Sequence, residues 1–223
     1  MEKELIEHLR GFVTERRSGL IDKVLEDRTR YIKIVLENIY QSQNASAVLR
    51  SCDCFGVQDV HVIENSYKFD IDPQVTMGSS KWLNIHSHRE KENNTLDAIK
   101  ELKADGYRII ATSPHVKDVT IEELDLNKGK FALFFGTELT GLSDIVMDNA
   151  DEFVKVPMYG FTESFNISVC ASLSLYELTK RLRQSDIDWG LSKTEKDEIK
   201  LEWLRRTIKS SDEIVERFME GKE

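Results

Sequence analysis

The sequence has little of what usually announces a functional site. Its three cysteines, Cys52, Cys54 and Cys170, include one C-x-C pair and no second pair. That excludes a disulfide framework and the usual zinc spacings, and leaves buried thiols in a reducing compartment as the expectation. No apolar run is long enough to cross a bilayer, and the opening MEKELIEHLR is charged rather than signal-like. A cytoplasmic protein with no membrane partner is expected. Positive charge is in deficit, since 31 Lys and Arg stand against 40 Asp and Glu, a net charge of −9. A uniformly basic nucleic-acid binder is excluded on that count, although local basic clusters are not. The common fingerprints are missing too. There is no G-x-G-x-x-G after the first strand, no G-x-x-x-x-G-K-[ST] and no G-x-S-x-G, which argues against dinucleotide enzymes, P-loop nucleotidases and nucleophile-elbow hydrolases.

What is present is an alternation of strand and helix signals. Runs at 31–36 (YIKIVL), 57–64, 82–88, 107–112, 131–135 (FALFF) and 152–157 read as strands. Helical patterns occupy 45–55, 95–105, 142–149 and 167–184, with Gly56 and Gly106 as stops. FALFF is apolar throughout, as a central strand covered on both faces should be. The only prolines, Pro73, Pro114 and Pro157, fall in predicted loops or at strand ends. This order predicts an α/β fold with a mostly parallel sheet. The flanks read as helices, 1–28 with a break at Ser18 and Gly19, and a charged helix from Gly190 to the end. The expected organisation is an N-terminal helical extension (1–30), a central domain (31–184) and a C-terminal helical extension (185–223).

In open α/β sheets, ligands bind outside the carboxyl ends of the strands. Four polar loops are predicted there, at 41–44, 111–115, 136–141 and 157–166. His86 and His88 alternate on a predicted strand, but no third ligand is evident, so ordinary surface histidines and no metal are expected. Basic clusters at Arg16 and Arg17, at Lys180, Arg181 and Arg183, and at Arg205 and Arg206 are interleaved with acidic residues. They read either as phosphate contacts or as solvated helix faces.

Three stretches carry a resemblance. NASAVLR at 44–50 with a trailing C-x-x-F-G-V, FFGTELTGL at 134–142, and VPMYGFTESFNISV at 156–169 resemble, in order and spacing, the three motifs of the SpoU/TrmH family of the SPOUT superfamily, which are RNA 2′-O-ribose methyltransferases. The resemblance covers about residues 31–183. The flanking helices, including EWLRR at 202–206, are similar to those of the tRNA guanosine-18 subgroup.

The resemblance implies a SPOUT fold with a C-terminal trefoil knot, S-adenosylmethionine as methyl donor, a homodimer and a tRNA substrate. Guanosine 18 of the D-loop is the implied target. Another RNA site, in ribosomal RNA or at the wobble nucleotide, is the alternative within the class, and a non-catalytic RNA-binding protein the alternative outside it. By position, Thr112, Ser113, Gly136, Val156, Met158 and Phe165 would border the cofactor. For Val156 and Phe165, plain core is the alternative reading. Arg50 matches the family's motif arginine, acting either as proton acceptor or as a cation that grips phosphate and orients the ribose. Asn44 would position Arg50 or serve as a helix N-cap before Ala45. Glu138 would hold loop geometry, and Ser164 and Asn166 would orient ribose, cofactor or arginine. The small-residue segment at 167–174 fits close approach of a partner helix and fits a buried core helix as well. Methyl transfer from a sulfonium leaves a neutral thioether, so neither a metal nor a general acid is required.

Overall fold

A computed structural model describes residues 1–113 and 119–221. In chain order the first elements are α1 (Glu2–Arg10), α2 (Glu15–Glu26), β1 (Ile32–Glu37), α3 (Ser42–Phe55), β2 (Asp59–Ile63) and α4 (Pro73–Thr76). They are followed by β3 (Asn84–His88), α5 (Thr95–Ala104), β4 (Arg108–Thr112), β5 (Val119–Thr120), β6 (Phe131–Phe135) and α6 (Asp144–Asn149). The chain ends with β7 (Glu152–Lys155), α7 (Ile167–Arg183), α8 (Lys193–Thr207) and α9 (Ser211–Glu220). Two compact units result, residues 29–189 and, separately, 1–28 with 190–223.

The larger unit is a seven-stranded sheet in the order β3-β2-β1-β6-β4-β7-β5, and every strand pair is parallel. Side chains alternate across it. Ile32, Ile34 and Leu36 of β1 face a core shared with Val48 and Leu49 of α3 and Ala171, Leu175 and Leu178 of α7. Val35, Ala132 and Phe134 point the other way, to Ala98, Ile99 and Leu102 of α5 and Val146 of α6. Because both faces are covered, β1 and β6 are buried along their whole length. Gly56 closes α3 in the left-handed conformation at φ 76°, as expected of a helix stop.

Several expectations are corrected. α3 starts at Ser42 with Gln41 in the N-cap position, so Asn44 lies inside the first turn and is not the N-cap. Pro73, expected in a loop or at a strand end, instead starts α4, which is capped by the Asp72 carboxylate. β5 was not legible, being two residues long and held only by pairing with β7. The predicted loop 111–115 extends to Pro114 and His115, which lie outside the described residues.

In the smaller unit the N-terminal break falls at Gly11 to Val13, not at Ser18 and Gly19. Thr14 is extended and its hydroxyl accepts from the Arg17 N–H, which starts α2, and Ser18 and Gly19 lie within that helix. The single C-terminal helix expected is two helices, parted where Ser210 takes φ 55°. Leu5, Leu9, Leu25 and Trp203 are buried, and the Arg28 guanidinium lies 5.1 Å over the Trp203 ring.

Candidate functional site

Because all strands run parallel, their carboxyl ends share one edge. Loops after β1, β4, β6 and β7 therefore meet there. After β6 the chain makes a tight turn. The Thr137 N–H donates to the Gly141 carbonyl at 2.9 Å, and the Gly141 N–H returns to Thr137 at 3.0 Å. Gly136 permits this approach, since a Cβ there would sit 2.2 Å from the Gly141 carbonyl carbon and oxygen. The turn is also tethered from outside. The buried Glu37 carboxylate at the end of β1 accepts from the Ser143 N–H at 2.9 Å and hydroxyl at 2.7 Å, and from the Thr95 hydroxyl at 2.7 Å.

Three predicted site residues from distant parts of the chain form one network. Asn44 Nδ2 donates to Glu138 Oε1 at 2.9 Å, and Asn166 Nδ2 donates to the same oxygen at 2.8 Å and to Asn44 Oδ1 at 3.1 Å. Asn44 Nδ2 also reaches Gln41 Oε1 at 2.9 Å. Asn166 has a second task as N-cap of α7, its Oδ1 accepting from the Ser168 N–H at 2.9 Å. The network thus ties the first turn of α3, the loop after β6 and the start of α7 together.

Beside it opens a pocket of about 700 Å³. Thr112, Ser113, Gly136, Val156, Met158 and Phe165, the six residues expected to border a cofactor, all line it. Glu138 and Ser164 line it as well. Leu139 to Leu142, in and beside the predicted loop 136–141, also contribute, as do Ile121 and Cys170, which were not anticipated. Burial pushes the Cys170 thiol up to about 11, so it stays protonated and inert. Thr112 is turned by its hydroxyl, which donates to the Phe134 carbonyl at 2.7 Å.

Arg50 is placed differently. It is exposed on α3 with Nη1 3.5 Å from the Val75 carbonyl, and it is not among the pocket-lining residues. Of the basic residues singled out, Arg16 and Arg17 are exposed on α2, and Lys180 lies 5.8 Å over the Tyr176 ring. Arg181 donates to the Ile121 and Leu124 carbonyls at 2.9 and 2.7 Å. Arg183 donates to the Phe55 carbonyl at 2.9 Å and lies over Trp189. Arg205 pairs with Asp212, and Arg206 with Glu202.

The histidines form a cluster that sequence alone did not disclose. His61 is buried, and its Nδ1 meets His88 Nε2 at 2.9 Å with the rings only 15° from coplanar. Glu101 is 3.9 Å from His88 Nδ1, so three ligand-type groups come together. The head-on contact is a hydrogen bond: a tetrahedral zinc would hold two imidazole nitrogens about 3.3 Å apart, with their lone pairs converging. Burial, with His86 and Lys33 nearby, lowers His61 to about 2 and keeps it neutral.

Among the described residues, no helix is long and apolar enough to cross a membrane. Residues 31–176 match the SpoU rRNA Methylase family. The chain is 48% identical over 202 residues to a tRNA (guanosine(18)-2′-O)-methyltransferase of Borreliella burgdorferi, covering 91% of this chain and 90% of that one. It is similar to the crystal structure of the A. aeolicus TrmH/SpoU tRNA modifying enzyme, with a TM-score of 0.77 and 29% identity over 88% of this chain and 98% of that one. The fold also matches the SpoU methyltransferase AviRb of Streptomyces viridochromogenes, solved in complex with the cofactor AdoMet. That match has a TM-score of 0.59 and 22% identity over 73% and 62% of the two chains.

Proposed function

The chain belongs to the SpoU rRNA Methylase family, and from that premise we propose that it methylates the ribose 2′-hydroxyl of guanosine 18 in the D-loop of tRNA, using S-adenosylmethionine. The observation that carries this reading is the Asn44–Glu138–Asn166 network set beside the pocket. The pocket fits such a cofactor on two grounds. Its size falls in the range of cofactor sites, about 300–1,000 Å³. Its wall is a close pair of backbone segments at Gly136 and Gly141 with apolar flanks from Val154, Val156 and Ile167, which suits a flat heterocycle met by main-chain groups.

Bound there, S-adenosylmethionine would supply an electrophilic methyl group on a sulfonium whose leaving thioether is neutral, so the chemistry would need neither a metal nor a general acid. Thr112, Ser113, Gly136, Val156, Met158 and Phe165, which line the pocket, would hold it. Glu138, gripped by two amides, fixes the loop after β6 against α3 and α7, and Ser164 orients the ribose. Reaction then depends on alignment of the ribose oxygen and on help for a weakly acidic hydroxyl. Arg50 acts through its planar fork of N–H donors. It anchors phosphate and stabilises charge developing on the 2′-oxygen.

The active unit is a cytoplasmic homodimer. Val169, Leu173 and Tyr176, at i, i+4 and i+7 of α7, are 46, 41 and 54% exposed, and Phe165 precedes them. An apolar stripe of this kind on a core helix suits a second copy. Arg50 of the partner subunit then completes the pocket, which the chain's own Arg50 does not line. The C-terminal part of the central domain is threaded as a trefoil knot. Supporting this, β7 inserts between β4 and β5, which are consecutive in the chain, and Arg181 of α7 then binds the Ile121 and Leu124 carbonyls just after β5. The chain divides into helical extensions at 1–30 and 185–223 around a methyltransferase domain at 31–184. Arg16 and Lys180 are the phosphate contacts best placed to serve, since Arg17, Arg181, Arg183, Arg205 and Arg206 each have a partner within the protein.

Incubation of the purified protein with unmodified tRNA and methyl-labelled S-adenosylmethionine tests this. Label in RNA, stable to removal of free cofactor, is expected. Tight tRNA binding with no measurable cofactor binding by calorimetry would instead assign a non-catalytic RNA-binding role.

A further inference from the structure

Two tyrosines on the same sheet edge belong to no part of this scheme. Tyr40, in the loop after β1, is 72% exposed, and Tyr67, in the loop after β2, is 42% exposed. Their ring centroids are 4.9 Å apart with planes at 68°. In an edge-to-face pair, the ring that offers its edge keeps both of its faces open.

The pair is built rather than incidental. β1 and β2 are neighbours in register, Glu37 opposite Ile63, so their loops leave the sheet side by side. Between them Asn38 adopts φ 58°, a conformation that short polar side chains tolerate. Its Oδ1 accepts from the Ser66 N–H at 2.8 Å and the Tyr67 N–H at 3.0 Å, while its own N–H donates to the Ile63 carbonyl at 2.8 Å. One asparagine therefore fixes both loops and the separation of the two rings. Tyr40 is also covalently next to Gln41, whose Oε1 is bonded to Asn44 of the site network.

The geometry points to Tyr40 and Tyr67 as the stacking platform for the base of the methylated nucleotide. This rests on the methyltransferase reading of the site. A ribose placed between the network and the pocket must send its base away from the methyl donor. On the β1 side of the network, the loops after β1 and β2 present aromatic surface to receive it. Unstacked RNA bases are commonly held in this way. Lys68, exposed beside Tyr67, supplies a cation for the adjoining phosphate.

The test compares wild type, Tyr40→Ala and Tyr40→Phe on intact tRNA and on the same tRNA carrying an abasic ribose at the methylated position. Tyr40→Ala is expected to lower kcat/KM for intact tRNA at least about fivefold, with unchanged S-adenosylmethionine affinity and thermal midpoint. Tyr40→Phe, which keeps the ring, restores it. On the abasic substrate wild type is slowed, and Tyr40→Ala adds no further loss. Equal kcat/KM for wild type and Tyr40→Ala, or the same penalty on both substrates, overturns the stacking role. A wild-type protein that binds tRNA but transfers no methyl group overturns the methyltransferase reading instead. In that case, loss of tRNA affinity in Tyr40→Ala and its recovery in Tyr40→Phe, by filter binding, still decide the platform.

Discussion

Replacing Gly136 by alanine tests the pocket wall directly. The added Cβ would lie 2.2 Å from the Gly141 carbonyl carbon and oxygen and 2.4 Å from the Leu142 nitrogen. Ordinary contact begins at 3.4 Å, so the two backbone segments must part by about 1.2 Å (3.4 − 2.2). No flexible side-chain end is available to yield, because every close atom belongs to main chain. Separation by that amount breaks the two hydrogen bonds between Thr137 and Gly141, a net loss of about 1–3 kcal/mol in stability. The loop that carries Glu138 and Leu139 into the pocket moves with it. Affinity for S-adenosylmethionine should fall at least about tenfold, and methyl transfer about a hundredfold, the usual penalty for misplacing a site by about 1 Å. Gly190→Ala, where an added Cβ meets nothing within 4 Å, is the control. Calorimetry with the cofactor and urea unfolding of both variants provide the measurements. A Gly136→Ala protein that binds cofactor as tightly as wild type would refute the assignment of this wall.

Three further outcomes are expected. Arg181→Ala should lose about 2–4 kcal/mol of stability in urea unfolding, since its guanidinium holds two carbonyls in the core domain; unchanged stability with weakened tRNA binding would return it to the RNA-contacting set. His61 titrates near 6.5 when unfolded but only at about 2 when folded. Between those values the unfolded chain binds the extra proton, so stability falls as pH drops through that window. Relative to His61→Gln, wild type should lose on the order of 2 kcal/mol between pH 7 and pH 5, and parallel stability curves for the two proteins would contradict this. Leu173→Glu should convert a dimer to a monomer of 25.8 kDa by light scattering; a wild-type protein already monomeric, or a variant of unchanged mass, would remove the α7 face as the interface.

The middle of the sheet was legible because FALFF is apolar throughout and YIKIVL is rich in β-branched residues, and because Gly56 ends a helix for a purely local reason. Local signals failed where two were in competition. Ser18 and Gly19 look like a break, yet Thr14 caps a helix that runs through them, and Arg10 Nε bonds the Ser18 hydroxyl at 2.9 Å. β5 exists only through its partner strand, which no window of sequence contains. The site divides in the same way. Asn44, Glu138 and Asn166 were identifiable from motifs, but their convergence on one carboxylate oxygen depends on strand order. The support from Glu37 to Ser143 spans 106 positions, and nothing local marks it. Basic clusters were counted correctly as charge, but sequence does not tell a guanidinium turned to solvent from one that, like Arg181, is bound to main-chain carbonyls.

Mass mapping of nuclease fragments decides the central claim most directly. Unmodified tRNA is incubated with S-adenosylmethionine and either wild-type protein or Arg50→Ala. Wild type should add a single methyl group to the ribose of guanosine 18 in the D-loop fragment, and Arg50→Ala should add none while binding the cofactor normally. A methyl group on a base, on another fragment, or placed equally well by Arg50→Ala would contradict the account.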